Sequence, residues 1–114
     1  MGEGATLEEL MSQVADFVTK REWEVFHNPK DLAIAMAVEA SELLEHFLWR
    51  TPEEINQLLP ELKEKIEEEL ADVFIYGLSM ANALSVDLAD AIHRKLRKNE
   101  KRFPVDRFRG RAYG

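Results

Sequence analysis

Apolar residues recur three and four positions apart along most of this chain, and nowhere alternate with polar ones for the length of a strand. Leu7, Leu10, Met11, Val14, Phe17 and Val18 set the first stripe. It follows Thr6-Leu7-Glu8-Glu9, where a hydroxyl and a glutamate three residues later have capping-box spacing. The pattern predicts a helix over residues 7–26, stopped before Asn28 because Pro29 disfavours a helical residue ahead of it. Asn28-Pro29 is also a cap with a first-turn proline, and opens a second helix over 29–49. Thr51-Pro52-Glu53-Glu54 repeats the signal for a short helix over 52–58, and Pro60 opens a longer one over 60–84. Ser85 or Asp87 caps a last helix over 86–102, with Leu88, Ala91, Ile92, Leu96 and Phe103 inward and Pro104 at its end. Residues 1–5 are expected to be disordered, and 105–114 to form a basic irregular tail. No Asn-Gly or Asp-Gly hairpin turn appears. The expected fold is all-α: one domain over 6–104, with four main helices and short loops in an antiparallel four-helix-type bundle.

Two helical segments echo each other at an offset of 30. Residues 36–47 read M-A-V-E-A-S-E-L-L-E-H-F, and residues 66–77 read I-E-E-E-L-A-D-V-F-I-Y-G. Glu39 coincides with Glu69, and Glu42 with Asp72. At ~100° per residue, Leu32, Met36, Glu39, Leu43 and Phe47 share one stripe, as do Leu62, Ile66, Glu69, Val73 and Gly77. The first acid of each pair therefore sits where a core expects an apolar residue, and the second lies ~60° to one side. Acids three apart are common in this chain, and on an exposed helix they are ordinary solvated surface. A carboxylate inside an apolar stripe is different, because it must be paired, protonated or metal-bound. If the two helices pack antiparallel, the four acids converge and repel unless a cation sits among them. Oxygen-only donors select a hard cation, Mg²⁺ first and Mn²⁺ as its substitute.

Charge adds a second element. The net charge is −7, but residues 93–114 hold nine of the 15 Lys and Arg against two acids, a net of +7, which leaves −14 on residues 1–92. An acidic body can hold cations, and a basic end can meet phosphates. Lys95, Asn99 and Arg102 fall on one helical face, which would also suit a solvated basic helix end. Trp23, Phe26, His27, Phe47 and Trp49 cluster at two predicted helix ends. Core packing accounts for such a cluster, and so does a stacked nucleobase.

Composition mainly excludes. Apolar residues make up 46%, too many for a chain with no core, and the absence of cysteine removes disulfides and thiolate metal sites. The longest apolar run, 32–38, is far short of a membrane span, and the N-terminus lacks a leader's basic-then-apolar layout. A cytoplasmic protein with no membrane partner is expected. At 114 residues the core is modest, so sharing it between copies is plausible.

Taken together, the E-x-x-E of Glu39/Glu42 and the E-x-x-D of Glu69/Asp72 resemble the MazG-like all-α nucleoside triphosphate pyrophosphohydrolases. R-E-W-E-V-F-H at 21–27, F-L-W at 47–49, E-E-L-A-D-V at 68–73 and K-L-R-K-N-E-K-R-F-P at 95–104 look like the eukaryotic dCTP pyrophosphatase branch. The likeness covers about residues 16–105. It implies Mg²⁺-dependent hydrolysis of a (deoxy)nucleoside triphosphate, such as dCTP or a related or modified pyrimidine nucleotide, to the monophosphate and pyrophosphate. Glu39, Glu42, Glu69 and Asp72 would be metal ligands, with Glu42 or Glu69 as general base. Lys95, Asn99 and Arg102 would hold phosphates. Trp23, His27 and Trp49 would line the base pocket, and Tyr76 would approach the sugar. Sites built between subunits of a homodimer or homotetramer are implied as well. One departure bears on the base: the dCTP-preferring relatives have a His nine residues before the tryptophan matching Trp23, and here that position is Val14. A lost polar contact relaxes discrimination between bases.

Two other functions fit parts of the pattern. Glu24-x-x-His27 and Asp90-x-x-His93 have the spacing of di-iron carboxylate bundles. The basic C-terminus suits a non-enzymatic nucleic-acid or protein interaction module, although the acidic body opposes nucleic acid as a partner.

Overall fold

The computed structural model describes residues 4–111; residues 1–3 and 112–114, the ends of the expected disordered N-terminus and irregular tail, lie outside the described residues. Every regular element in it is helical: α1 (Leu7–Lys20), a 3-10 turn (Glu24–Phe26), α2 (Pro29–Glu45), α3 (Pro52–Ala83), α4 (Leu88–Arg102) and α5 (Val105–Phe108). The all-α expectation holds. The tail opens with one helical turn, α5, where Phe108 meets Phe103 edge-on at 5.1 Å.

The caps read from the sequence form. Thr6, Asn28, Thr51 and Asp87 each accept a hydrogen bond from the backbone N–H three residues on. At Thr51 the box is reciprocal, with Glu54 accepting from the Thr51 N–H at 3.1 Å.

Three boundaries differ. The first helix stops at Lys20 rather than reaching residue 26. Glu22 adopts φ 53°, its N–H donates to Thr19 O, and the Trp23 N–H reaches back to Val18 O. These are the two bonds of a Schellman motif, which satisfies the last carbonyls of the helix. The second helix ends at Glu45 rather than 49; the Arg50 guanidinium donates to His46 O at 2.7 Å, and Trp49 turns the chain at φ 66°. The two helices expected over 52–58 and 60–84 are one helix of 32 residues that runs through Pro60. A proline removes one N–H and strains the preceding turn, but need not end a helix. The stripe of Ile55, Leu58, Leu62 and Ile66 continues across it, and all four are half-buried.

α2 and α3 form an antiparallel hairpin, fixed at two points. His46 faces Glu69 at one end, and the Met36 thioether lies against Gly77 at the other. α1 packs on α3, where Asn82 Nδ2 donates to Met11 O at 3.0 Å. The buried residues Val18, Leu32, Leu78 and Ala81 mark where these three helices meet. α4 has no comparably extensive packing, so the four-helix bundle is not closed within one chain. The radius of gyration is 17.4 Å, against about 13 Å for a compact chain near this size.

Candidate functional site

The hairpin register decides which acids meet. With residue 46 opposite 69 and 36 opposite 77, Glu42 falls across from Asp72, and Glu39 and Glu69 flank that pair on the diagonal. Glu39 and Glu69 are half-buried, while Glu42 and Asp72 are exposed, as their stripe and shoulder positions predict. The Glu39 carboxyl is pushed above its usual 4.5 by burial first. A hydrogen bond to Glu42 and the negative charges of Glu42, Asp72 and Glu69 push it further the same way. Glu42 on the same helix and Glu69 and Asp72 across the hairpin thus all act on Glu39.

Among the described residues, no three His, Asp or Glu side chains already surround one point closely enough to hold an ion. The donor chemistry fits a hard divalent cation all the same. The donors are oxygens, and their mutual repulsion disfavours the ionised state of Glu39, a penalty that a cation would relieve.

Sequence reasoning passed over His46. Its Nε2 lies 2.5 Å from Glu69 Oε2, and both atoms are buried without an aligned hydrogen bond. The signal was present: His46 is seven residues after Glu39, on the same stripe, and Tyr76 occupies the matching position after Glu69.

Next to the acids lies a cavity of about 630 Å³ between α1 and α3. Asp72, Tyr76 and Ser79 line one wall at i, i+4 and i+7, and Val14 and Phe17 line the facing wall. Trp23 and His27 also line it. The Schellman turn at Glu22 sets Trp23 edge-on to Phe17 at 5.8 Å, and the Trp23 and His27 rings lie 6.4 Å apart at 34°. The cavity therefore joins an acid of the cluster to an aromatic, mostly apolar chamber, a volume of the size that small-molecule sites occupy.

Other expected residues lie elsewhere. Trp49 is 96% exposed and does not line the cavity. Lys95, Asn99 and Arg102 follow one another along α4, outside the cavity; Lys95 and Arg102 are exposed, and the Arg102 guanidinium lies 5.0 Å over Phe103. The carboxylate-x-x-His pairs of the di-iron alternative do not converge either. Glu24 and His27 sit at a 3-10 turn, while Asp90 is bound to Arg94 at 2.7 Å on exposed α4.

Known proteins share this architecture and sequence. The chain is 38% identical over 109 residues to dCTP pyrophosphatase 1 of Bos taurus, covering 94% of this chain and 64% of that protein. It is 38% identical over 102 residues to the Homo sapiens protein of that name, covering 88% of this chain and 60% of that one. The chain thus spans less than two thirds of these relatives. A crystal structure of a pyrophosphatase from Archaeoglobus fulgidus superimposes with a TM-score of 0.80 at 38% identity, over 86% of this chain and 92% of that one. The family model described as MazG-like matches residues 34–113, which contain both acid pairs and α4. On that match and these identities, the chain belongs to the MazG-like family.

Proposed function

We propose that this chain is a nucleoside triphosphate pyrophosphohydrolase, acting on dCTP or a related or modified pyrimidine nucleotide to give the monophosphate and pyrophosphate. One observation carries the reading: on a single face of α3, Asp72 of the acid cluster leads into an aromatic-lined cavity with Tyr76 one turn on. A nucleoside triphosphate has the same polarity, with charge at one end, a sugar between and a flat ring at the other. The relatives' names, dCTP pyrophosphatase and pyrophosphatase, agree with this reading.

Mg²⁺, or Mn²⁺ in its place, would be held by Glu39, Glu42, Glu69 and Asp72, and would supply neutralisation of phosphate charge. The ring of the base stacks on Trp23 beside His27, and the sugar passes Tyr76. This leaves the triphosphate at the mouth of the cavity beside Asp72. Glu42 or Glu69 takes a proton from the attacking water as its oxygen bonds to phosphorus; the bond from phosphorus to the bridging oxygen breaks, and pyrophosphate departs. A cytoplasmic location is part of this reading.

The reading includes a homodimer or homotetramer. An α4 without extensive packing, a radius of gyration of 17.4 Å and exposed Val25, Phe26, Phe74 and Trp49 are what a chain shows when its remaining core lies in a second copy. In that assembly Trp49 closes a neighbouring base pocket, and Lys95, Asn99 and Arg102 meet the phosphates. Pyrophosphate release from the common and modified nucleoside triphosphates, measured with Mg²⁺, tests the assignment. Turnover of a pyrimidine triphosphate is expected, and no turnover of any triphosphate removes it.

A further inference from the structure

Ser79 lines the cavity wall one turn beyond Tyr76 and is 5% exposed, and its Oγ has no hydrogen-bond partner among the described residues. That state is unusual for a helical serine. Ser41, although exposed on α2, donates to the carbonyl four residues back, Ala37 O, at 2.9 Å. Leaving a buried hydroxyl unsatisfied costs stability that alanine would avoid. A second orphaned atom lines the same cavity: His27 Nδ1 is also buried without a partner. Ser79, His27 and Val18 also border a smaller cavity of about 410 Å³. Val14, Phe17 and Val18, which also line the larger cavity, offer an incoming ring no polar side-chain group, although Gln13 lines that cavity as well.

The geometry points to Ser79 Oγ, together with His27 Nδ1, as the group that reads the polar edge of the base at the inner end of this cavity. The inference rests on the proposed pyrophosphohydrolase reading and adds a substrate class to it. A hydroxyl both donates and accepts, and turns freely to do either. A neutral imidazole offers Nδ1 as donor or acceptor according to its tautomer. Neither group imposes a fixed polarity, so the pair accepts a 4-amino pyrimidine and a 4-oxo pyrimidine alike. Sites that reject the wrong partner strongly do so by stranding a group of fixed polarity, and this pair has none. The substrate class is therefore pyrimidine nucleotides of both kinds, cytosine-like and uracil-like.

Calorimetric titration of the full chain with dCMP, dUMP and dTMP tests this without a catalytic step. The three dissociation constants should agree within about tenfold. Ser79→Ala should weaken all three by up to about tenfold, the equivalent of one hydrogen bond, while its melting temperature stays level or rises. A discrimination of a hundredfold or more among the three overturns the inference, as does a Ser79→Ala variant that binds all three like the parent. Turnover of triphosphates with unchanged binding in Ser79→Ala overturns this inference and leaves the hydrolase reading standing. Ser79-sensitive binding without turnover does the reverse.

Discussion

His46 Nε2 lies 2.5 Å from Glu69 Oε2 across the α2–α3 hairpin, and neither buried atom has an aligned hydrogen bond. Each therefore depends on the other for satisfaction. His46→Leu leaves a buried carboxylate oxygen alone, and should lower the unfolding free energy without divalent cation by about 1–3 kcal/mol. Replacing both, in His46→Leu/Glu69→Leu, should recover most of that loss, because paired apolar side chains of similar volume strand no charge. Urea unfolding of the parent and the two variants measures it. Equal stabilities would show that the contact carries nothing.

Glu39 gives the fold a pH dependence of known sign. Its carboxyl is raised above 4.5 in the folded chain, chiefly by burial and then by Glu42, Asp72 and Glu69. From about 4.5 upward, up to its folded value, the folded state holds more proton than the unfolded one, so stability falls as pH rises. With a chelator present, the melting temperature should drop across that window, and Glu39→Gln should flatten the slope. Mg²⁺ should raise the melting temperature most at the upper end of the window, where the carboxylates are ionised and free to bind it. A chelated protein as stable at the upper end as at 4.5 would count against the acids sharing one field.

Much of this was legible because it depends on local chemistry. The four caps are set by a side chain and an amide three residues apart, and the acid stripe by helical periodicity. Pro60 misled because a local rule was applied across a stripe, from Ile55 to Ile66, that the helix keeps through it. The early end of α1 was hidden because Glu22 takes a left-handed conformation without being glycine. Ser79 was hidden for a different reason. Its significance is the absence of a partner, which only a packed structure reveals.

The proposed chemistry makes a sharp demand on Glu69 and Asp72. Glu69→Gln and Asp72→Asn keep size and shape but remove a charge each from the cluster. Each should lower kcat at least about a hundredfold, the lower range for loss of a positioned acid–base group, with helical content by far-UV circular dichroism unchanged. A Glu69→Gln enzyme with the parent rate would remove Glu69 from the reaction.

Ser85, like Glu22, stands at φ 54° just past a helix end. Its N–H donates to Asn82 O and the Val86 N–H to Ala81 O, a second Schellman motif. A side chain in this region costs roughly 1–2 kcal/mol that glycine avoids. Ser85→Gly should therefore stabilise the fold by up to about 1 kcal/mol, after allowance for the greater freedom of glycine when unfolded. Chemical denaturation reads the change. A loss of stability would mean that the Ser85 side chain makes a contact worth more than the strain.

Trp49 shares that left-handed conformation, at φ 66°, yet is 96% exposed. Among the described residues no hydrogen bond or ring contact of the Trp49 side chain offsets either the strain or the exposure, and backbone strain of this kind persists where function requires it. If Trp49 covers the base pocket of a neighbouring copy, Trp49→Ala should raise KM about tenfold, within the range for losing one aromatic stacked on a base. Its unfolding free energy should not fall, since the ring buries little surface in its own chain. Activity per chain of the parent should also decline on dilution below the dissociation constant of the assembly, in step with the mass measured by sedimentation. A parent enzyme that stays monomeric and fully active, or a Trp49→Ala variant with unchanged KM, would confine the site to one chain and leave the exposed ring without a role in it.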